Sequence, residues 1–121
     1  MDDFKKALNI AVNLILLFIS FALTVYLGNL DGYIDYPFTI YFLLLLFAVI
    51  PPLGWNAINK FVINRYDRDE ISVGDKIQIV VSALAIAYFS AVSLITGDII
   101  FLVPWVLIFV GDFVLIALGR R

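Results

Sequence analysis

Ile99 to Leu118 is a run of twenty residues whose only charged side chain is Asp112. At about 1.5 Å per residue, such a run is long enough as a helix to cross the roughly 30 Å hydrocarbon core of a bilayer. A carboxyl group set that deep is costly, so Asp112 must have a partner or a task. The rest of the chain is organised around that acid as further apolar runs near 20 residues long, separated by short polar breaks.

Composition agrees with this reading. Of 121 residues, 64% are hydrophobic and only 15% charged, which moves the chain from the globular average towards membrane proteins. The length suits one domain, residues 1–121. There is no Cys and no His, so thiol chemistry, disulfides and thiolate or imidazole metal sites are excluded. A formal net charge of −2 argues against nucleic acid as a partner, since that needs a basic face.

Read in order, the first span covers about residues 7–27. It follows the charged lead-in Met1 to Lys6 and lacks an A-x-A-like cleavage site, so it reads as a retained span and not a signal peptide. Gly28-Asn29 and Asp31-Gly32 are turn dipeptides, and Asp35-Tyr36-Pro37 reads as a helix entry. The second span covers about 37–58. Thirteen residues between Pro37 and Pro51 are too few to cross alone, so the helix is expected to kink at Pro51-Pro52 and continue. Trp55 to Tyr66 mixes apolar and polar side chains and is expected along the headgroups, leading into a loop over about 59–74. Ser72-Val73-Gly74-Asp75 is a capping box that starts the third span, about 75–95. Thr96-Gly97-Asp98 is a minimal turn, and Asp98 caps the fourth span, 99–118, which Gly119 ends.

Short connections make neighbouring spans antiparallel. The expected fold is therefore an all-α membrane protein, a bundle of four transmembrane helices with both termini on one side. That side would hold Lys5, Lys6, Lys60, Arg65, Arg68, Lys76, Arg120 and Arg121, every basic residue in the chain, against only Asp31, Asp35 and Asp98 opposite. The positive-inside rule then places both termini in the cytoplasm, with the protein in the plasma (inner) membrane.

Asp112 lies thirteen residues after Ile99, so roughly 20 Å in from the outer surface. Pro51 and Pro52 come to a similar depth, and Asn13, Asn56 and Ser82 to neighbouring turns. Antiparallel packing would gather Asn13, Pro51, Pro52, Asn56, Ser82 and Asp112 into one polar layer. The prolines cannot donate, so the carbonyls near Phe47 and Ala48 lose their usual partners, and freed carbonyls beside a carboxyl suit a cation or proton. The plainer readings are a static kink at the prolines and an Asp112 that pairs with Lys5, Lys6 or Arg120, or bonds to Asn13.

Two stripes are suited to helix association. Asn9, Asn13, Ser20 and Thr24 fall within about 60° of arc at 100° per residue, and such a stripe should face other helices. On the third span Ala83, Ala87 and Ala91, with Ser82, Ser90 and Ser93, leave room for close approach. Tyr33, Tyr36, Trp55, Tyr66 and Trp105 read as interfacial anchors. Lys60, Arg65 and Arg68 are offset by Asp67, Asp69 and Glu70, so no dedicated lipid-headgroup site is expected.

No catalytic constellation, phosphate loop or metal-ligand spacing is present, so neither an enzyme nor a cofactor is expected. Two function classes follow. One is a small membrane protein that acts through contacts in the bilayer, as an accessory subunit or an immunity or defence factor, in a homo-oligomer or with another membrane protein. The other is a homo-oligomeric ion- or proton-coupled transporter or channel that uses Asp112.

Overall fold

The structure, a computed structural model, describes residues 2–30, 38–67 and 69–120, with Asp2 and Asp67 described by backbone alone. Asp31-Gly32, the Pro37 entry, the Tyr33 and Tyr36 anchors, Arg68 and Arg121 lie outside the described residues. Within them all regular structure is helical, and four helices are long and apolar enough to cross a membrane. They are α1 (Asp2–Leu30), α2 (Thr39–Ile63), α3 (Val73–Thr96) and α4 (Ile99–Gly119).

The ends of α3 follow from local chemistry. Asp75 N–H donates to Ser72 Oγ and Ser72 N–H donates to Asp75 Oδ2, both at 3.1 Å, closing the expected capping box. Gly97 stops the helix in the left-handed region at φ 76°, its N–H bonded to the Ser93 carbonyl at 2.8 Å. Asp98 Oδ1 then accepts from Ile100 N–H at 3.0 Å and caps a single 3₁₀ turn that opens α4, with Pro104 following in the first α-helical turn.

At the first break the expectation fails. Gly28 and Asn29 belong to α1, and Asn29 Nδ2 donates to the Val25 carbonyl at 2.8 Å. A Cβ at Gly28 would run into the Phe101 ring, so this glycine permits a close approach of α1 to α4 and makes no turn.

Helix α2 is continuous from Thr39 to Ile63, well past the expected end at Ile58, and contains two wide π turns. The first, Leu45–Val49, immediately precedes the prolines, with Ile50 N–H reaching the Leu45 carbonyl. Widening the helix there relieves the clash between a proline ring and the carbonyl one turn earlier. The second, Asn59–Ile63, ends the helix with Asn64 N–H on the Asn59 carbonyl at 2.7 Å.

Packing divides the interior in two. One end is apolar and aromatic: Phe89 stacks on Phe101 (centroids 6.0 Å apart) and on Trp105 (6.2 Å), among buried Leu17, Ile40, Leu44, Ile100 and Ile108. Trp105, expected at an interface, is instead fully buried, and its Nε1 donates to Thr24 Oγ1 at 3.2 Å. The outer surface carries large apolar side chains on all four helices, Phe18 at 74% and Leu94 at 87% exposure among them. In water such a surface would aggregate; lipid is the solvent that accepts it.

Candidate functional site

The other end of the interior is polar. Asn13, Asn56, Asn59, Lys60, Asp75, Gln78, Ser82 and Asp112 are all buried there, four of them amides and three of them charged groups by type. Three sets of bonds join the helices here. Asn9 Oδ1 accepts from Trp55 Nε1 (2.8 Å), Asn13 Nδ2 (2.8 Å) and Asn59 Nδ2 (3.4 Å), joining α1 to α2. Gln78 Nε2 donates to both Asn13 Oδ1 (2.6 Å) and the Pro52 carbonyl (2.8 Å), joining α3 to α1 and α2. Asn56 Nδ2 donates to Asp112 Oδ1 at 2.9 Å, joining α2 to α4.

Two glycines make these approaches possible. A Cβ at Gly74 would sit 2.9 Å from both Asn13 Nδ2 and Asn56 Oδ1, so α3 comes up against the amides only because residue 74 lacks a side chain. A Cβ at Gly111 would lie 2.6 Å from Leu53 Cδ1, so Gly111 brings α4 close enough to α2 for its neighbour Asp112 to reach Asn56.

Beside the amides lies a buried ion pair. Lys60 Nζ is 2.9 Å from Asp75 Oδ2, with side chains 4% and 1% exposed, and donates to the Glu70 carbonyl at 3.2 Å. Lys60 was expected to lie among headgroups. The continuation of α2 through its second π turn turns it inward instead, where Asp75 offsets the cost of burying the ammonium.

The residues expected to form one layer are partly united. Asn13 and the Pro52 carbonyl share the Gln78 amide, and Asn56 and Asp112 form a separate bonded pair. Ser82 is buried in the same end, but its hydroxyl is committed to the Gln78 carbonyl at 2.6 Å. Pro51 is only half-buried. The freed-carbonyl idea fails at Ala48, because Ser20 Oγ donates to that carbonyl at 2.6 Å. Ser20 and Thr24, with Asn13, are fully buried, so the polar stripe of α1 spends its bonds inside the chain. Ala83, Ala87 and Ala91 point the other way and are exposed on the outside of α3.

The network is incomplete on its acceptor side. Asn56 Oδ1, Asp75 Oδ1, Gln78 Oε1 and Asp112 Oδ2 are buried without a hydrogen-bond partner. Flipping the amides does not help. Gln78 must present its NH₂ to the Pro52 carbonyl, and Asn56 must present its NH₂ to an ionised Asp112, so a flip sets oxygen against oxygen. Among the described residues no three carboxyl, thiol or imidazole groups gather in a metal-ligand cluster. Sequence reasoning missed Lys60, Gln78 and Gly74 as members, and took Asp75 for a cap alone. The signal was available: Asp75, Gln78 and Ser82 fall at i, i+3 and i+7, one face of a helix. No protein-family model, curated protein or solved structure matches this chain.

Proposed function

We propose that the chain is a small multi-pass membrane protein, not an enzyme, that acts through helix contacts within the bilayer as an accessory subunit or an immunity- or defence-type factor. In this reading it sits in the plasma membrane with both termini cytoplasmic, its neighbouring helices antiparallel and α2 kinked at Pro51-Pro52. It works as a homo-oligomer or on another membrane protein. The observation that carries the reading is the outward face of α3. Ala83, Ala87 and Ala91 are exposed at a spacing that lets a second helix approach closely, while the α1 stripe is already used internally. The aromatic end adds support, since Phe89, Phe101 and Trp105 fill the space a path through one copy would need.

The chain has no Cys, so single cysteines give a clean test. A benzophenone attached at Ala87→Cys in native membranes should yield one discrete photo-adduct, whose mass separates a second copy from another protein. The same probe at Phe18→Cys, on the outer face of α1, should yield none. Equal labelling at both positions, or none at either, would sink the reading.

A second reading, an ion- or proton-coupled transporter or channel built on Asp112, is favoured by one specific observation: Asp112 Oδ2 is buried and unpartnered. Flux through the purified protein in liposomes, wild type beside Asp112→Asn, tests it. Flux in the wild type that the variant loses supports the reading, and a silent wild type removes it.

A further inference from the structure

We propose that the polar end of the interior binds one alkali-metal cation, with oxygen donors drawn from Asp112 Oδ2, Asn56 Oδ1, Gln78 Oε1 and Asp75 Oδ1. The inference shares its site with the second reading above but requires only binding, without any path across the bilayer.

Three observations lead there. The first is the kind of atom left over. All four unpartnered atoms in this cluster are oxygens, two from carboxyl groups and two from amides, and their orientations are fixed by the bonds their amide NH₂ groups make. A buried acceptor without a donor is costly, and four in one cluster call for a shared occupant. The second is continuity. Asp112 is bonded to Asn56; Asn56 Oδ1 and Asn13 Nδ2 both lie close against Gly74; Asn13 is bonded to Gln78; and Asp75 directly follows Gly74. The four oxygens therefore lie at one polar end of the interior, on α2, α3 and α4.

The third is charge. The described side chains of the patch hold two carboxyl groups and one ammonium, and that ammonium is paired with Asp75. Where Asp112 is ionised, one further positive charge balances it, which a monovalent ion supplies and a divalent ion overshoots. Oxygen-only donors that mix carboxyl and amide carbonyl suit hard cations, and soft metals would look for sulfur or imidazole. This end borders the loop between α2 and α3, since Lys60 Nζ, paired with Asp75, also donates to the backbone carbonyl of exposed Glu70.

Equilibrium binding of ²²Na⁺ and ⁸⁶Rb⁺ to the purified full chain in detergent, with N-methylglucamine as the inert cation, tests the inference. At least one isotope should bind saturably with a stoichiometry near one per chain, and Asp112→Asn should weaken it by about tenfold or more. Thermal unfolding of the wild type gives a second readout that needs no variant. Its midpoint should rise with the bound alkali cation and not with N-methylglucamine at equal ionic strength. Absence of saturable binding of either ion to folded wild type overturns the proposal, as does unchanged binding in a folded Asp112→Asn. Liposome flux without alkali-cation binding also overturns it while leaving the second reading intact, with the proton as the coupled species.

Discussion

Asn56 and Asp112 stand 56 residues apart in the chain and 2.9 Å apart in the fold, amide to carboxyl, at the point where Gly111 lets α4 close on α2. The bond uses one oxygen of Asp112 and one end of Asn56. Asp112 keeps its second oxygen and Asn56 its only side-chain oxygen buried and unpartnered, at the same polar end of the interior as the Lys60–Asp75 pair. An intramembrane acid is thus neither simply satisfied nor free. It is half-committed to structure, and each commitment can be tested separately.

Asp112→Ala removes the acceptor and leaves the Asn56 amide buried without a partner. A loss of about 2–4 kcal/mol is expected, because the desolvation of the orphaned group adds to the cavity left behind. Asp112→Asn keeps the volume and can still accept from Asn56, so it should cost distinctly less. Reversible unfolding in mixed micelles measures both, and equal losses would contradict the bond's structural share.

Lys60 and Asp75 should behave as a coupled pair. Lys60→Met strands a buried carboxyl and is expected to cost about 3–5 kcal/mol, whereas Lys60→Met combined with Asp75→Asn should recover part of that loss. Asn at position 75 keeps an acceptor for the Ser72 backbone N–H, so the helix start survives. A double-mutant cycle with no coupling would place the ammonium elsewhere.

Gly74 and Gly54 make a matched contrast. A methyl group at Gly74 meets Asn13 and Asn56 at 2.9 Å, so Gly74→Ala should destabilise the fold and loosen the amide network together. At Gly54 a methyl meets nothing within 4 Å, and the helix gains up to about 1 kcal/mol of propensity. Thermal midpoints of the two variants should therefore move in opposite directions.

Ser20 and Pro52 should be linked through the Ala48 carbonyl. That carbonyl has no proline N–H one turn later and takes the Ser20 hydroxyl instead. Ser20→Ala should cost about 1–3 kcal/mol in the wild type and less in Pro52→Ala, where a backbone donor returns. Equal costs in the two backgrounds would mean the hydroxyl is not substituting for the missing donor.

The four apolar helices, the Ser72–Asp75 box and the Gly97 stop were legible because each rests on local chemistry. Period, caps and a left-handed glycine are written into neighbouring residues. Depth alone sets Asn56 level with Asp112, since helices of known rise bring residues of equal depth alongside one another, but depth does not say which faces turn inward. What was not legible depends on how closely particular helices approach. Gly28 reads as a turn until Phe101 is seen beside it, and Lys60 reads as solvated until a π turn carries α2 further and points it at Asp75. Gln78 is a lone polar residue near a span end, where sequence gives no reason to prefer the interior. Periodicity puts Ala83, Ala87 and Ala91 on one face of α3, but it cannot say whether such a face looks in or out.

Trp105 and Trp55 give the most direct optical test of which groups are inside. Trp105 is fully buried with Nε1 on Thr24 Oγ1, while Trp55 is half-buried with Nε1 on Asn9 Oδ1. In bilayers containing brominated lipid, the Trp55→Phe variant reports on Trp105 alone and should show little quenching. The Trp105→Phe variant reports on Trp55 and should be quenched more strongly. Trp105→Phe also removes the donor to Thr24 Oγ1 and empties part of the aromatic stack, so it should cost about 1–3 kcal/mol on its own. Removing the hydroxyl as well, in Thr24→Val with Trp105→Phe, should cost less than the sum of the single losses, because the two share one bond. Strong quenching of Trp105 by lipid bromine would put its ring at the surface and break the link between α1 and α4 on which the aromatic end depends.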